Sequence, residues 1–219
     1  LFHIGPVAIS NAVITTWAIM AVLTVFSLLI TRRLQLQPGR MQTALEGGLG
    51  AIEDTIRAVL PEQVDKVLPF LATVWVFLSV ANLSGVVPGA HAPTAQLSTT
   101  AALAILVFLS VHWFGIRSEG LKNYLGHYLR PSPILLPFHL ISEITRTVAL
   151  SVRLFGNIMS LEMAALLILL VAGFLAPVPI LMLHIIEALV QAYIFGMLAL
   201  IYIAGAMQSH QLQRQRKKE

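Results

Sequence analysis

Ser151-Val152-Arg153-Leu154-Phe155-Gly156-Asn157 sets an arginine and an asparagine inside the apolar run 135–172. An arginine at the centre of a bilayer costs about 2.5–3.5 kcal/mol on insertion scales, so one is kept there only if it faces a partner or a water-filled path. The run has the length of one continuous helix. At about 1.5 Å per residue it measures about 55 Å, nearly twice the hydrocarbon thickness, so such a helix must tilt steeply, kink or lie partly along the membrane. Neighbours at i, i+3 and i+4 share a helix face, which gathers Glu143, Arg146, Leu150, Arg153 and Asn157 into one stripe. Glu162 falls roughly half a turn round from Arg153 and looks the other way. Two polar environments are therefore expected to meet near Arg153.

Composition agrees with a membrane chain. The sequence is 57% hydrophobic and 11% charged, against about 25% charged in ordinary soluble domains. There is no cysteine, so neither a disulfide nor a thiolate metal site can be built. The net charge of +4 sits in segments that flank apolar spans, without the basic and aromatic stripe of a nucleic-acid surface. No Gly-x-x-x-x-Gly-Lys occurs, so nucleotide binding through a phosphate loop of that kind is excluded.

Read in order, the chain predicts an all-α membrane protein, a single domain over 1–219. Membrane helices are expected at 7–31, 67–87, 99–116, 135–172 and 180–207, the last two long and strongly tilted. Between the first two, Met41, Leu45, Leu49, Ile52, Ile56 and Val59 recur at helical spacing, with Glu46, Glu53, Asp54 and Arg57 elsewhere on the wheel. This marks 41–60 as an amphipathic helix lying on the membrane surface, on a partner or on its own neighbours. Lys and Arg collect after the first span, between the third and fourth, and in the basic tail 210–219. The loops at 88–98 and 173–179 have neither. That alternation predicts five crossings with the N-terminus outside, the C-terminus in the cytoplasm and the amphipathic helix on the cytoplasmic side. Glu143 then lies about 15 Å to the cytoplasmic side of Arg153, and Glu162 about 13 Å to the outer side, along the helix axis. On the last helix His184, Glu187 and Gln191 share a face.

The run at 151–157 resembles the signature of subunit a of the F-type rotary ATP synthases, the stator subunit that passes ions to a rotating ring. Asn82-Leu83-Ser84-Gly85-Val86-Val87-Pro88 with Pro93-Thr94-Ala95, and Leu183 to Phe195 of the last helix, are similar to further stretches of that family, over roughly 67–207. The resemblance implies that Arg153 is the essential arginine, Gln191 the glutamine facing it and Asn157 its polar neighbour. It further implies that Glu162, His184 and Glu187 line or adjoin an outer aqueous half-channel, and that Glu143 stands toward the cytoplasmic exit. Its implied partners are a ring of c subunits, the b subunits of a peripheral stalk and the lipid bilayer, in a bacterial inner membrane. No cofactor and no metal are expected, since His184 and Glu187 lack the third ligand and the spacing of a zinc site. A level hairpin turning near Ala176 sets Arg153 opposite about residue 199, so pairing with Gln191 calls for an offset between the helices.

Several residues admit blander roles. Glu162 and Glu187 suit structural pairing with other helices, His184 a hydrogen-bonded core position, and Glu143 an ion pair with Arg146. His91, His112 and His127 are expected in loops or at the interface. A free-standing secondary transporter also uses intramembrane charges, but no acid stands at i±3 or i±4 from Arg153 to serve as carrier. The coupling ion is expected to be H⁺, with Na⁺ the alternative in the same role.

Overall fold

The computed structural model describes residues 2–4, 7–9, 11–32, 39–86, 92–120, 136–172 and 178–208. The chain begins with an antiparallel pair, β1 (Phe2–Ile4) and β2 (Val7–Ile9), in which Phe2 stands opposite Ile9. Among the described residues six α-helices follow: α1 (Asn11–Thr31), α2 (Arg40–Val59), α3 (Val64–Leu83), α4 (Leu97–Glu119), α5 (Leu136–Ala172) and α6 (Val178–Gln208). Short 3-10 turns at Ser84–Val86 and Pro93–Ala95 lie between α3 and α4. All but α2 contain a stretch long and apolar enough to cross a membrane. Several boundaries depart from expectation: the second membrane helix runs Val64–Leu83 instead of 67–87, the third Leu97–Glu119 instead of 99–116, and the first helix starts at Asn11 instead of residue 7. Val7 and Ile9 are β-branched and favour a paired, extended backbone over a helix end.

The core lies among α3, α4, α5 and α6. On α3 it takes Val67, Leu71, Val74, Trp75 and Leu78, and on α4 Ala104, Val107 and Val111. Leu150, Leu154 and Ile158 supply it from α5, at four-residue spacing. Half of the apolar window of α6 is buried, against 6% for α1, so α6 is the axis on which the bundle packs. Small residues make this possible. Ala188, Ala192, Gly196 and Ala199 let neighbouring backbones approach closely. A Cβ on Gly196 would stand 2.0 Å from Trp75 Nε1; without it, the indole lies against α6 and donates to the Tyr193 carbonyl at 3.3 Å.

α1 packs only lightly, on α3 and the Pro93–Ala95 turn. Its threonine hydroxyls bond inside the helix, Thr15 to the Asn11 carbonyl, Thr16 to Ala12, Thr24 to Met20 and Thr31 to Ser27. Such back-bonding leaves these hydroxyls satisfied where no water is present. α2 resolves the alternatives for the amphipathic segment along its own length. Ile56 is buried with Ile52 and Val59 beside it in the core, while Met41, Leu45 and Leu49 at the other end remain exposed.

Candidate functional site

Polar side chains gather at three levels along α5. Toward its C-terminal end, the Glu162 carboxylate accepts the backbone N–H of Ala92 at 2.8 Å, tying α5 to the segment between α3 and α4. His184 of α6 is buried beside it, with Nε2 unpartnered among the described residues. A Cβ on Gly85 would meet Ala92 Cβ at 3.0 Å, Glu162 Oε1 at 3.2 Å and His184 Cε1 at 3.3 Å, so the carboxylate and the imidazole flank the same spot. Glu187, half-buried one turn along α6, acts electrostatically on His184 together with Glu162. The three residues expected to share one path therefore adjoin one another.

Beside them runs a buried polar brace. Asn82 is fully buried, donates to the Ala188 carbonyl at 3.2 Å and accepts from the Thr94 hydroxyl at 2.8 Å. A buried amide left unmatched would cost about 1–3 kcal/mol, so these two bonds fix α3 against α6 and against the Pro93–Ala95 turn. Between α4 and α5, Thr100 Oγ1 and Ser151 Oγ lie 3.3 Å apart.

At the middle level Asn157 Nδ2 donates to Gln191 Oε1 at 2.8 Å, and Gln191 is buried. This contact lies about one helical turn off the register of a level hairpin. The two helices are thus offset in the direction required, and Gln191 stands opposite Asn157, one turn from Arg153. Arg153 itself is exposed on the surface of the chain. Among the described residues the close contacts between basic and acidic side chains are Arg57–Glu53 and His112–Glu143, and Arg153 joins neither.

Toward the N-terminal end of α5, Glu143 Oε1 lies 3.7 Å from Nε2 of His112 on α4. Its expected pairing with Arg146 gives way to this contact, because Arg146 turns over the Tyr202 ring, 5.6 Å from its centroid. His112 is also not a loop residue: it is half-buried in the third span. His91 and His127 lie outside the described residues, as does the basic tail. The stripe seen on the wheel therefore divides among several neighbours. Glu143 meets α4, Arg146 and Asn157 meet α6, Leu150 enters the core and Arg153 faces outward.

Sequence reasoning gave His112 no contact with Glu143 and passed over the Glu162–Ala92 bond and the Thr100–Ser151 pair, because all three depend on helix register. Among the described residues, no three His, Asp or Glu side chains gather as a metal site.

Comparison with known proteins adds to this geometry. Residues 13–204 match the family model of the ATP synthase A chain. The chain is 62% identical over 219 residues to ATP synthase subunit a 2 of Pelobacter propionicus, covering 100% of this chain and 96% of that protein. It is 68% identical over 206 residues to ATP synthase subunit a 1 of Hahella chejuensis, covering 94% and 88%. With ATP synthase subunit a of Legionella pneumophila the identity is 59% over 215 residues, 98% of this chain and 94% of that one.

Proposed function

This chain belongs to the ATP synthase A chain family, and on that footing we propose that it carries two offset aqueous half-channels, separated by Arg153, that pass protons to and from carboxylates on a rotating ring of c subunits. Membership makes it an ion-transporting stator subunit of a rotary ATP synthase. Its bacterial relatives and five membrane-length helices make it an integral protein of a bacterial membrane. The proposal adds the path, the residues, the ring and stalk b subunits as partners, the inner membrane, and an N-terminus outside with the C-terminus in the cytoplasm.

One observation carries it. Arg153 lies near the middle of the span Leu140–Val171, yet its side chain faces out of the bundle with no described carboxylate as partner. A permanently charged guanidinium in that position calls for an acid from another chain. Brought alongside, a ring carboxylate is favoured in its ionised form and must give up its proton. Past the arginine that influence ends, and the carboxylate can reload from the other side. The same fixed cation repels a bare proton or Na⁺, which keeps the two inlets from joining.

Each inlet has candidate linings. Glu162, His184 and Glu187 supply polar groups for the outer one, Glu143 for the inner, and the Asn157–Gln191 bond fixes the two helices beside the arginine. A membrane potential supplies about 2.3 kcal/mol per charge per 100 mV as bias. The exposed surface of α1 and the outer half of α2 are available to lipid or to the stalk.

The test uses inverted membrane vesicles carrying the whole complex. Arg153→Ala should abolish ATP-driven proton uptake while passive proton conduction persists or rises. Arg153→Lys should be severely impaired, since an ammonium lacks the planar fork and loses its proton more readily when desolvated. An assembled Arg153→Ala complex that pumps at near the normal rate would falsify the proposal. Uptake that requires sodium would transfer the same role to Na⁺.

A further inference from the structure

We propose that Thr100 and Ser151 are positioning residues for Arg153: the contact between their hydroxyls fixes the rotation of α5 about its own axis, and with it the direction in which the guanidinium points. The inference rests on the role given to Arg153 above and adds two residues that reading does not contain.

The Ser151 hydroxyl is partnered differently from others on its helix. Thr145 and Thr147 donate to the carbonyls of Ile141 and Glu143, one turn back, and Ser160 donates to that of Gly156. Ser151 instead reaches another helix, with its Oγ 3.3 Å from Thr100 Oγ1 on α4. Thr100 is fully buried and Ser151 is 6% exposed, so neither has bulk water as an alternative partner. A hydroxyl has one hydrogen to give. Thr100 gives its own to the Leu97 carbonyl at 3.1 Å, which leaves its oxygen free to accept and makes Ser151 the donor. The contact is also stiff. Each oxygen stands one bond beyond Cβ, and the β-branched Thr100 is confined at χ1, so the pair ties one backbone to the other with little slack. Asn157 and Gln191, which join α5 to α6, have longer side chains that can follow a rotation.

Level and azimuth both suit the role. Ser151 lies two residues from Arg153, about 3 Å along the axis, and at about 100° per residue the two side chains point about 160° apart. Asn157 falls about 120° round from Ser151. α5 is therefore pinned on its α4 flank by Ser151 and on its α6 flank by Asn157, and Arg153 faces outward. Leu150, Leu154 and Ile158 fill the core on the same helix, but apolar burial is non-directional and tolerates a small turn. Side chains extend to about 5–6 Å from the helix axis, so a turn of about 20° carries their ends about 2 Å. A misplacement of about 1 Å can cost an aligned site about 100-fold. Holding the rotation of α5 is thus a condition for meeting a ring carboxylate.

The experiment measures three quantities on inverted vesicles carrying the whole complex: the amount assembled, ATP-driven proton uptake per assembled complex, and passive proton conduction. Thr100→Val keeps the side-chain shape and removes its oxygen, and Ser151→Ala removes the other oxygen. Each should lower uptake per complex by about 3-fold or more and raise passive conduction. The double variant should match the poorer single one, because both changes delete the same bond. Thr100→Ser retains the hydroxyl and should restore most of the uptake. In an Arg153→Ala background neither substitution should change conduction further, since no guanidinium is left to aim. Wild-type uptake per complex and wild-type conduction in the single variants, with only the assembled amount reduced, would make the pair a structural contact and overturn the inference. Losses that multiply in the double variant, or a further rise in conduction without Arg153, would overturn it too. If Thr100→Val does not assemble, Ser151→Ala, which loses a single oxygen, decides by the same readings. The Arg153→Ala result stands apart. Coupled transport lost there, with Thr100→Val and Ser151→Ala complexes unaltered, defeats this inference alone, whereas an Arg153→Ala complex that still pumps defeats the reading on which it rests.

Discussion

The packing of Trp75 on Gly196 permits a quantitative test of what holds α3 to α6. Alanine at 196 would place its Cβ 2.0 Å from Trp75 Nε1, 2.3 Å from Cε2 and 2.5 Å from Cδ1. All three are atoms of a rigid ring, and Trp75 is only 6% exposed, so the indole cannot swing clear and the helices must part. Overpacking of this kind costs about 1–3 kcal/mol. Displacing the indole also sacrifices its bond to the Tyr193 carbonyl, about 1 kcal/mol more. Against this, alanine improves helix propensity by about 1 kcal/mol. The net destabilisation is about 1–3 kcal/mol. Gly205→Ala on the same helix is the control, because a Cβ there meets nothing within 4 Å and should leave stability equal or slightly raised. The assay is the midpoint of thermal dissociation of the purified complex in detergent, at one heating rate because such transitions are kinetic. Adding Trp75→Phe puts a smaller ring at the contact and should recover part of the loss. Equal midpoints for Gly196→Ala and Gly205→Ala would refute the close-approach argument.

Asn157→Leu leaves the buried Gln191 oxygen without its donor, so it should destabilise the complex by about 1–3 kcal/mol; the Asn157→Leu/Gln191→Leu double variant should cost less than the two losses added together, as double-mutant cycles on thermal midpoints will show. Glu162→Gln keeps an oxygen to accept the Ala92 N–H while removing the charge, and should slow proton uptake only partially with assembly intact, whereas Glu162→Ala should also lower thermal stability. Single cysteines at the exposed Ser98 and at Gln213, in a chain that has none of its own, should react from opposite faces of sealed vesicles, Ser98→Cys from outside and Gln213→Cys from the cytoplasmic side; labelling from one side for both contradicts five crossings.

Much of this architecture is legible from local pattern. Five spans stand out because each is long and apolar, and α2 stands out because its apolar residues repeat at three and four. Arg153 needs no structure to be noticed, since its cost in lipid is a property of the residue. Contacts between helices were far less legible. The wheel puts Glu143, Arg146, Leu150, Arg153 and Asn157 on one face, yet azimuth does not say which neighbour occupies that face at each height. α5 passes both α4 and α6, so the stripe is shared between them, while Arg153 faces outward. Trp75 with Gly196, Asn82 with Ala188, and His112 with Glu143 each join elements remote in sequence. Their meeting depends on axial register, which no single helix encodes. The start of α1 was missed for a local reason: Val7 and Ile9 suit a strand and a membrane helix equally by hydropathy.

The outward-facing guanidinium also bears on how the subunit is made. A chain inserted alone carries Arg153 against lipid, at a cost of about 2.5–3.5 kcal/mol, and no described acid of its own relieves it. That cost vanishes when a neighbour brings a carboxylate to the site. On the proposed reading the stability of the finished subunit would depend on that neighbour, and an orphan copy would be the less durable species during biogenesis. The charge that would divide two water paths in the working machine would, before assembly, distinguish a partnered chain from an unpartnered one.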